Sequence, residues 1–185
     1  MSHRVCPWWL GYFLISPFRR WRQDPSIIVN GFVREGMTVL EPGPGMGFFT
    51  LDLLRAVGPA GRVVAVDIQP KMLARLQRRA SKVRLGGRLD ARLASSQSMP
   101  LEDLRGAVDF TLAFAVVHEF PDAPDFFRQV AAASKPGASV MLAEPSGHVK
   151  DPEFESELTA ASEFGFHLQS HPLIRGYHAA VLVKS

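Results

Sequence analysis

Several features that would indicate a function directly are scarce in this sequence. Its 185 residues contain a single cysteine, Cys6, which excludes an intramolecular disulfide framework and a cysteine-based metal cluster. No internal repeat is present, and the apolar run at residues 5–16 spans only twelve residues, too few to cross a bilayer. We therefore expect a globular protein of the reducing cytoplasm that has no metal site.

The sequence also has only a small excess of charge of one sign. The formal net charge is only +3, with a pI of about 9.3, and basic residues gather mainly at 19–22 and 75–84. In the second group, apolar residues recur at helical spacing, which predicts an outer helix side carrying Lys71, Arg75, Arg78, Arg79 and Lys82. This pattern favours a solvated helix face over a nucleic-acid surface, so we expect no nucleic-acid partner.

Tryptophan and tyrosine are rare but concentrated near the start of the chain. All three tryptophans and one of the two tyrosines, Tyr12, lie within residues 8–21, beside a basic edge. We interpret residues 1–35 as a helical cap segment with an aromatic surface. Three roles remain open for it: a lid over a ligand site, a contact in a homodimer, or peripheral membrane contact through residues 5–22.

Apolar strand candidates alternate with helical segments from residue 37 onward. The strands are expected at 37–41, 62–68, 88–94, 108–117, 138–143, 167–170 and 177–183, and helices at 48–57, from Pro70, at 122–134 and at 154–164. This order predicts an α/β fold over residues 36–185. Its sheet would be doubly wound, mostly parallel and Rossmann-like, with seven strands and an antiparallel last strand.

The stretch from Glu41 to Thr50, EPGPGMGFFT, places a glycine-rich loop where the first strand ends. Ligands of such sheets bind at this edge, and Asp67 at the end of the second strand could accept hydrogen bonds from both hydroxyls of a ribose. Glu41 would repel the pyrophosphate of a dinucleotide but attract the cationic methionine end of S-adenosylmethionine. The loop and the two carboxylates therefore predict that the chain binds S-adenosylmethionine, with S-adenosylhomocysteine as its product.

VLEPGPGMGFFT resembles the first motif of class I S-adenosylmethionine-dependent methyltransferases, and VVAVDIQPKML resembles their second-strand signature. Segments 108–122 and 135–145 are similar to the family's fourth and fifth strands. The resemblance implies that Asp67 binds the ribose, that Ile68 packs on adenine, and that Met72 contacts the cofactor. The full set of cofactor-binding residues expected from it is Glu41, Pro42, Gly43, Gly45, Gly47, Asp67, Ile68, Met72, Ser95, Ser96, Gln97 and Phe114.

The adenine end departs from the family pattern. Many members carry an aspartate after the third strand that accepts a hydrogen bond from the adenine amino group, whereas this chain has Ser95, Ser96 and Gln97 there. These neutral side chains can still hydrogen-bond adenine.

His118 is our main candidate for a catalytic base, because it would lie at the end of the fourth strand beside the transferred methyl group. Glu119 is the other candidate at the same place, and Tyr12, His148 and His178 are candidates outside this pair. Neighbours on a strand point to opposite faces, so we expect at most one of His118 and Glu119 to enter the cleft.

Short connections after the fifth strand and between the last two strands leave only the cap segment long enough to cover the acceptor. We therefore expect methyl transfer to a small apolar or aromatic acceptor by a monomer or homodimer. An RNA or other nucleic-acid methyltransferase, and a non-catalytic protein that binds S-adenosylmethionine at a membrane surface, remain as alternatives.

Overall fold

The computed structural model describes residues 25–95 and 98–185. Its seven strands are β1 (Thr38–Pro42), β2 (Arg62–Asp67), β3 (Leu89–Leu93), β4 (Val108–Phe114), β5 (Ser134–Pro145), β6 (Phe166–Ser170) and β7 (Tyr177–Lys184). Five helices accompany them: α1 (Pro25–Phe32), α2 (Thr50–Ala56), α3 (Pro70–Lys82), α4 (Ala123–Ala133) and α5 (Asp151–Glu163).

All seven strands form one sheet in the order β3-β2-β1-β4-β5-β7-β6. Neighbours from β3 to β5 are parallel, whereas β7 runs antiparallel to both β5 and β6. Strand order therefore reverses between β1 and β4, the switch point at which open α/β sheets bind ligands. The predicted fold class, including its antiparallel last strand, is confirmed.

Continuous apolar strands suit this sheet because helices cover both of its faces. Leu40, Val64 and Ala113 point to the face packed against α4 and α5, and alternate residues such as Val39 and Val63 point to the face that holds α1 and α2. Helix α1, which lies within the predicted cap segment, packs on this second face: the Phe32 ring stacks on Phe110 at 5.6 Å.

Three elements differ from the sequence-based prediction by three residues or more at one end. Strand β4 stops at Phe114 instead of residue 117, because Ala115 adopts a positive φ of 55° and residues Val117–Glu119 form a 3₁₀ turn. Strand β5 is longer than expected at both ends. Helix α5 begins at Asp151, three residues before Phe154, where the Glu153 carboxylate accepts the Lys150 N–H at 2.8 Å.

Several predictions fall on residues 1–24, 96 and 97, outside the described residues. They concern the catalytic role of Tyr12, the membrane contact of residues 5–22, and the adenine contacts of Ser96 and Gln97. In the described ranges, no helix combines the length and apolar character needed to cross a membrane. The boundary between the cap segment and the rest of the chain stays a prediction.

Candidate cofactor and acceptor site

The glycine loop joins β1 to α2 and is anchored to β2 by the Gly43 N–H, which donates to the Val66 carbonyl at 2.8 Å. Gly43 and Gly45 both have positive φ, at 63° and 54°. A Cβ on Gly43 would lie 2.6 Å from Val116 Cγ2, whereas a Cβ on Gly45 would meet no atom within 4 Å. Gly43 is therefore required for packing, and Gly45 leaves open space at the mouth of the loop.

Helix α3 supports the same loop from behind. A Cβ on Gly47 would collide with the Leu76 side chain, so this glycine allows the helix and loop to pack closely. The Arg79 guanidinium donates hydrogen bonds to the carbonyls of Met46 and Gly47. The prediction that Arg79 faces solvent is therefore wrong in part, because the side chain folds back onto the loop.

Glu41 is buried beneath the loop, with only 3% of its surface exposed. Its Oε2 has no hydrogen-bond partner among the described residues. Burial raises the pKa of Glu41 to about 8; the Thr50 hydroxyl lowers it by a smaller amount and the charge of Asp67 raises it further. A cationic group placed here would meet an oxygen that residues 25–95 and 98–185 leave unpaired.

Asp67 ends β2 and lies nearby in a better satisfied environment. Its Oδ1 accepts the Gln69 N–H at 2.8 Å. Burial raises the pKa of Asp67 to about 6, against hydrogen bonds from the backbone of Gln69, Gly45 and Ile68, which favour the charged form. These N–H groups fix the carboxylate at the carboxyl end of the strand.

The residues around Asp67 differ in how much surface they offer. Ile68 is 40% exposed, an unusual position for a large apolar side chain, whereas Met72 is buried. Ser95 Oγ accepts the Ser98 N–H at 3.0 Å and so closes a local turn. Pro42 continues β1 to its last residue, beside Val66 of β2.

On the other side of the switch point, His118 lies in the 3₁₀ turn after β4. It is not on a strand, so the expectation that His118 and Glu119 alternate across the sheet has no basis in the structure. Its Nδ1 is hydrogen-bonded to Oε2 of Glu144, a fully buried residue near the end of β5. Glu144 Oε1 accepts the N–H groups of Val116 and Val117 at 3.2 and 2.7 Å.

This pairing fixes the imidazole in one orientation. Because the Glu144 carboxylate accepts from Nδ1–H, the neutral ring carries its free lone pair on Nε2. Burial alone lowers the pKa of His118, but the hydrogen bond that His118 donates to Glu144 and the charges of Glu144, Glu119 and Glu157 outweigh it and raise the pKa. The turn therefore holds a histidine that can accept a proton at a defined atom.

A cavity of about 540 Å³ opens beside His118, lined also by Gly147, His148, Val149, Glu153 and Glu157. The rings of His118 and His148 are 6.2 Å apart. We refer to this cavity as the Glu157 pocket.

Phe114 and His178 lie close to this region but have other partners. The Phe114 ring packs between Phe49 at 4.6 Å and Tyr177 at 4.7 Å, within the core that also holds α1 and α2. His178 Nδ1 is 3.4 Å from an Asp151 carboxylate oxygen, and its ring packs on Phe154 at 5.5 Å.

A family model described as a methyltransferase domain matches residues 33–171. The match spans β1 to β6 and contains the glycine loop, Asp67, His118 and Glu144. The chain belongs to this family. It is a class I methyltransferase domain, and S-adenosylmethionine is its cofactor.

Solved structures share the fold of this methyltransferase domain. A methyltransferase from Aquifex aeolicus superposes with a TM-score of 0.84 over 97% of this chain and 98% of its own, at 24% identity. The geranyl diphosphate C-methyltransferase of Streptomyces coelicolor, solved with S-adenosylhomocysteine, has a TM-score of 0.70 over 86% of this chain and 75% of its own, at 15% identity.

Among curated proteins, the demethylmenaquinone methyltransferase of Halalkalibacterium halodurans is 28% identical over 128 residues, which are 69% of this chain and 50% of that protein. The first curated relatives are longer proteins, of which this chain covers half or less.

The methyltransferase domain contains functional candidates that its sequence did not reveal, namely Glu144, Glu157 and the loop contact of Arg79. Glu144 stands in an apolar strand segment, AEP, where a single acid gives no indication of a partner 26 residues earlier. In the sequence, Glu157 is not distinguished from the other acidic residues of helix α5. The available signal was an acidic residue directly after the apolar strand predicted at 138–143.

Proposed function

We propose that this chain transfers the methyl group of S-adenosylmethionine to a small-molecule acceptor bound near the ends of β4 and β5. The observation that carries the proposal is the His118–Glu144 pair at the edge of a cavity of about 540 Å³. That volume is within the range of roughly 300–1,000 Å³ typical of small-molecule sites. The names of two similar proteins, a demethylmenaquinone and a geranyl diphosphate methyltransferase, also support a small-molecule acceptor.

On the cofactor side, Glu41 and the open space at Gly45 fit an ammonium-bearing tail that lies across the loop. Asp67 would hold the ribose hydroxyls, and the exposed Ile68 would pack on the adenine ring. When bound, S-adenosylmethionine supplies a methyl group already activated by its sulfonium sulfur. The chain's own task is then mainly to align the acceptor with the methyl carbon, an effect that can be worth about 7–11 kcal/mol.

On the acceptor side, His118 Nε2 would take the proton that the acceptor loses as it forms its new bond to carbon. Glu144 acts as a positioning residue, because it holds the tautomer with the lone pair on Nε2 and stabilises the imidazolium that results. General-base catalysis of this kind contributes about 10²–10⁴-fold. His118 must be neutral to act, so activity should increase as the pH rises through its raised pKa.

The test is methyl transfer from methyl-labelled S-adenosylmethionine to a panel of phenols, quinols and primary amines. We expect His118→Ala to lower kcat at least 100-fold with little change in affinity for S-adenosylhomocysteine. Asp67→Ala should instead weaken that affinity by about 1–3 kcal/mol. His167→Ala, at an exposed histidine on β6, serves as the matched control and should change neither quantity.

Glu144→Gln separates positioning from mere structure. Glu144 raises the pKa of His118, so the variant should shift the acidic limb of the pH–rate profile to lower pH as well as reduce kcat. Wild-type kcat in His118→Ala would contradict the proposed base, and an unshifted pH profile in Glu144→Gln would contradict the positioning role.

A further inference from the structure

The Glu157 pocket carries an unusual balance of charge. Two of its six lining residues are carboxylic acids, Glu153 and Glu157, and two are histidines; lysine and arginine are absent from the lining that the described residues provide. A third carboxylate, Glu144, is buried behind His118. A ligand group that neutralises negative charge would therefore be favoured here.

Among these three carboxylates, Glu157 is the one with an oxygen that lacks a hydrogen-bond partner in the described residues. Its side chain lies on the inner side of α5, only 7% of the residue is exposed, and Oε2 has no hydrogen-bond partner in the described part of the chain. Buried carboxyl oxygens normally have a partner, because leaving one unpaired is unfavourable. The unpaired oxygen thus marks the position of a missing donor.

The electrostatics of Glu157 agree with this reading. Burial raises the pKa of Glu157 to about 8; the charge of Glu144 raises it further, His118 lowers it, and Glu153 raises it. A cation in the pocket would relieve the same repulsion between carboxylates. An anionic group in the pocket would be repelled by the same carboxylates.

The geometry favours an organic cation over a metal ion. Within residues 25–95 and 98–185, no set of three or more His, Cys, Asp or Glu side chains is arranged to hold a metal. Glu144 is already fully engaged, and Glu153 Oε2 accepts the Lys150 N–H. A protonated amine needs fewer ligands than a metal ion and can donate to Glu157 alone.

We propose that the Glu157 pocket binds the protonated nitrogen of a small amine, with Glu157 as its hydrogen-bond acceptor. Val149 and the His148 ring would contact the apolar body of the same ligand. Where the ligand is the methyl acceptor, its nitrogen must first give a proton to His118 Nε2, because an ammonium group has no lone pair with which to attack the methyl carbon. In that case this inference rests on the proposed function and narrows its substrate class to apolar or aromatic amines.

The experiment uses the full chain with S-adenosylhomocysteine and three probes of similar shape: benzylammonium, benzyl alcohol and benzoate. Binding is measured by calorimetry and by chemical-shift changes of the histidine rings. We expect wild-type protein to bind benzylammonium at least tenfold more tightly than benzyl alcohol, and to bind benzoate least. Glu157→Gln should reduce the preference for the amine to within twofold, whereas Glu155→Gln, at an exposed position on the same helix, should retain it.

Equal binding of benzylammonium and benzyl alcohol by the wild-type protein would overturn the proposal, and this comparison needs no variant to fold. Equal behaviour of Glu157→Gln and Glu155→Gln would overturn the role of Glu157. These readouts do not depend on turnover. Full activity in His118→Ala together with an intact amine preference would reject only the proposed base. Reduced activity in His118→Ala together with no amine preference would reject only the amine pocket.

Discussion

The β1–β2 side and the β4–β5 side of the sheet each contain one satisfied carboxylate and one that lacks a partner for an oxygen. Asp67 and Glu144 are held by backbone N–H groups, and Glu144 in addition by His118, whereas Glu41 and Glu157 each have an unpaired buried oxygen. On both sides, the satisfied acid fixes local geometry and the unpaired one is available to a ligand. An unpaired carboxyl oxygen would thus mark a binding position in each of two chemically different pockets.

The two sides differ in how they are assembled. On the cofactor side, the glycine loop and both carboxylates, Glu41 and Asp67, lie in one continuous stretch, residues 41–72, in which the loop determines the backbone path. The acceptor side combines His118, Glu144 and Glu157 from a turn, a strand and a helix. A change within the loop should therefore affect the cofactor side first. At Gly43 it also reaches Val116, whose N–H donates to Glu144.

The largest expected effect comes from a matched pair of glycine substitutions in the loop. Gly43→Ala introduces a Cβ 2.6 Å from Val116 Cγ2 at a positive φ, so we expect the free energy of unfolding to fall by about 2–5 kcal/mol. Gly45→Ala has the same backbone strain but no colliding atom within 4 Å. It should lose only about 1–2 kcal/mol of stability.

Affinity for S-adenosylhomocysteine should rank the same two variants in the opposite order from stability. If the open space at Gly45 belongs to the cofactor, Gly45→Ala lowers affinity for S-adenosylhomocysteine at least tenfold in a folded protein. Urea unfolding and calorimetry on both variants provide the measurements. Tight binding by Gly45→Ala would show that the cofactor does not approach the loop at this position.

This contrast explains how much could be predicted from the sequence. The strand alternation, the loop after β1 and Asp67 were predictable, because each depends on a local pattern that the backbone must follow. The end of β4 was not, since the positive φ of Ala115 carries no sequence signal, and that turn decides where His118 points. The pairing of His118 with Glu144 arises only when β4 and β5 lie side by side.

A second experiment affects the acceptor side through residues 1–24. We still predict that their clustered aromatic side chains cover the acceptor, so deletion should lower methyl transfer about 100-fold through loss of alignment and entry of water. Affinity for S-adenosylhomocysteine should fall only modestly, because Glu41, the loop and Asp67 are retained. Trp9→Ala and Tyr12→Ala should act in the same direction.

A structural cap would give a different result. The truncated chain would then lose thermal stability, with binding and turnover reduced together. An unchanged catalytic rate in a stably folded truncation would rule out the lid and leave the Glu157 pocket open to solvent during catalysis.

The last prediction concerns how the stability contribution of Glu41 depends on pH. The pKa of this carboxyl rises from an ordinary value of 4.5 to about 8 in the folded, cofactor-free chain. The folded state therefore binds the proton more tightly than the unfolded state, and the free energy of unfolding falls as pH rises between these two values. Glu41→Gln lacks this contribution, so its stability relative to wild type should increase by about 1 kcal/mol per pH unit and level off above pH 8.

Urea unfolding of both proteins at several values between pH 5 and 9 would test this. Glu157 also has a raised pKa but is present in both proteins, whereas Asp67 interacts with Glu41, so the difference between the two curves reports Glu41 together with its coupling to Asp67. An ammonium group bound beside Glu41 would favour its charged form. Binding of S-adenosylhomocysteine near pH 7 should then release a proton, measurable by calorimetry in buffers of different ionisation enthalpy. A stability difference that does not vary with pH would contradict the raised pKa of Glu41. Binding without proton release in wild type would show that Glu41 does not receive the cofactor's ammonium group, and the analogy with Glu157 would then fail on the cofactor side.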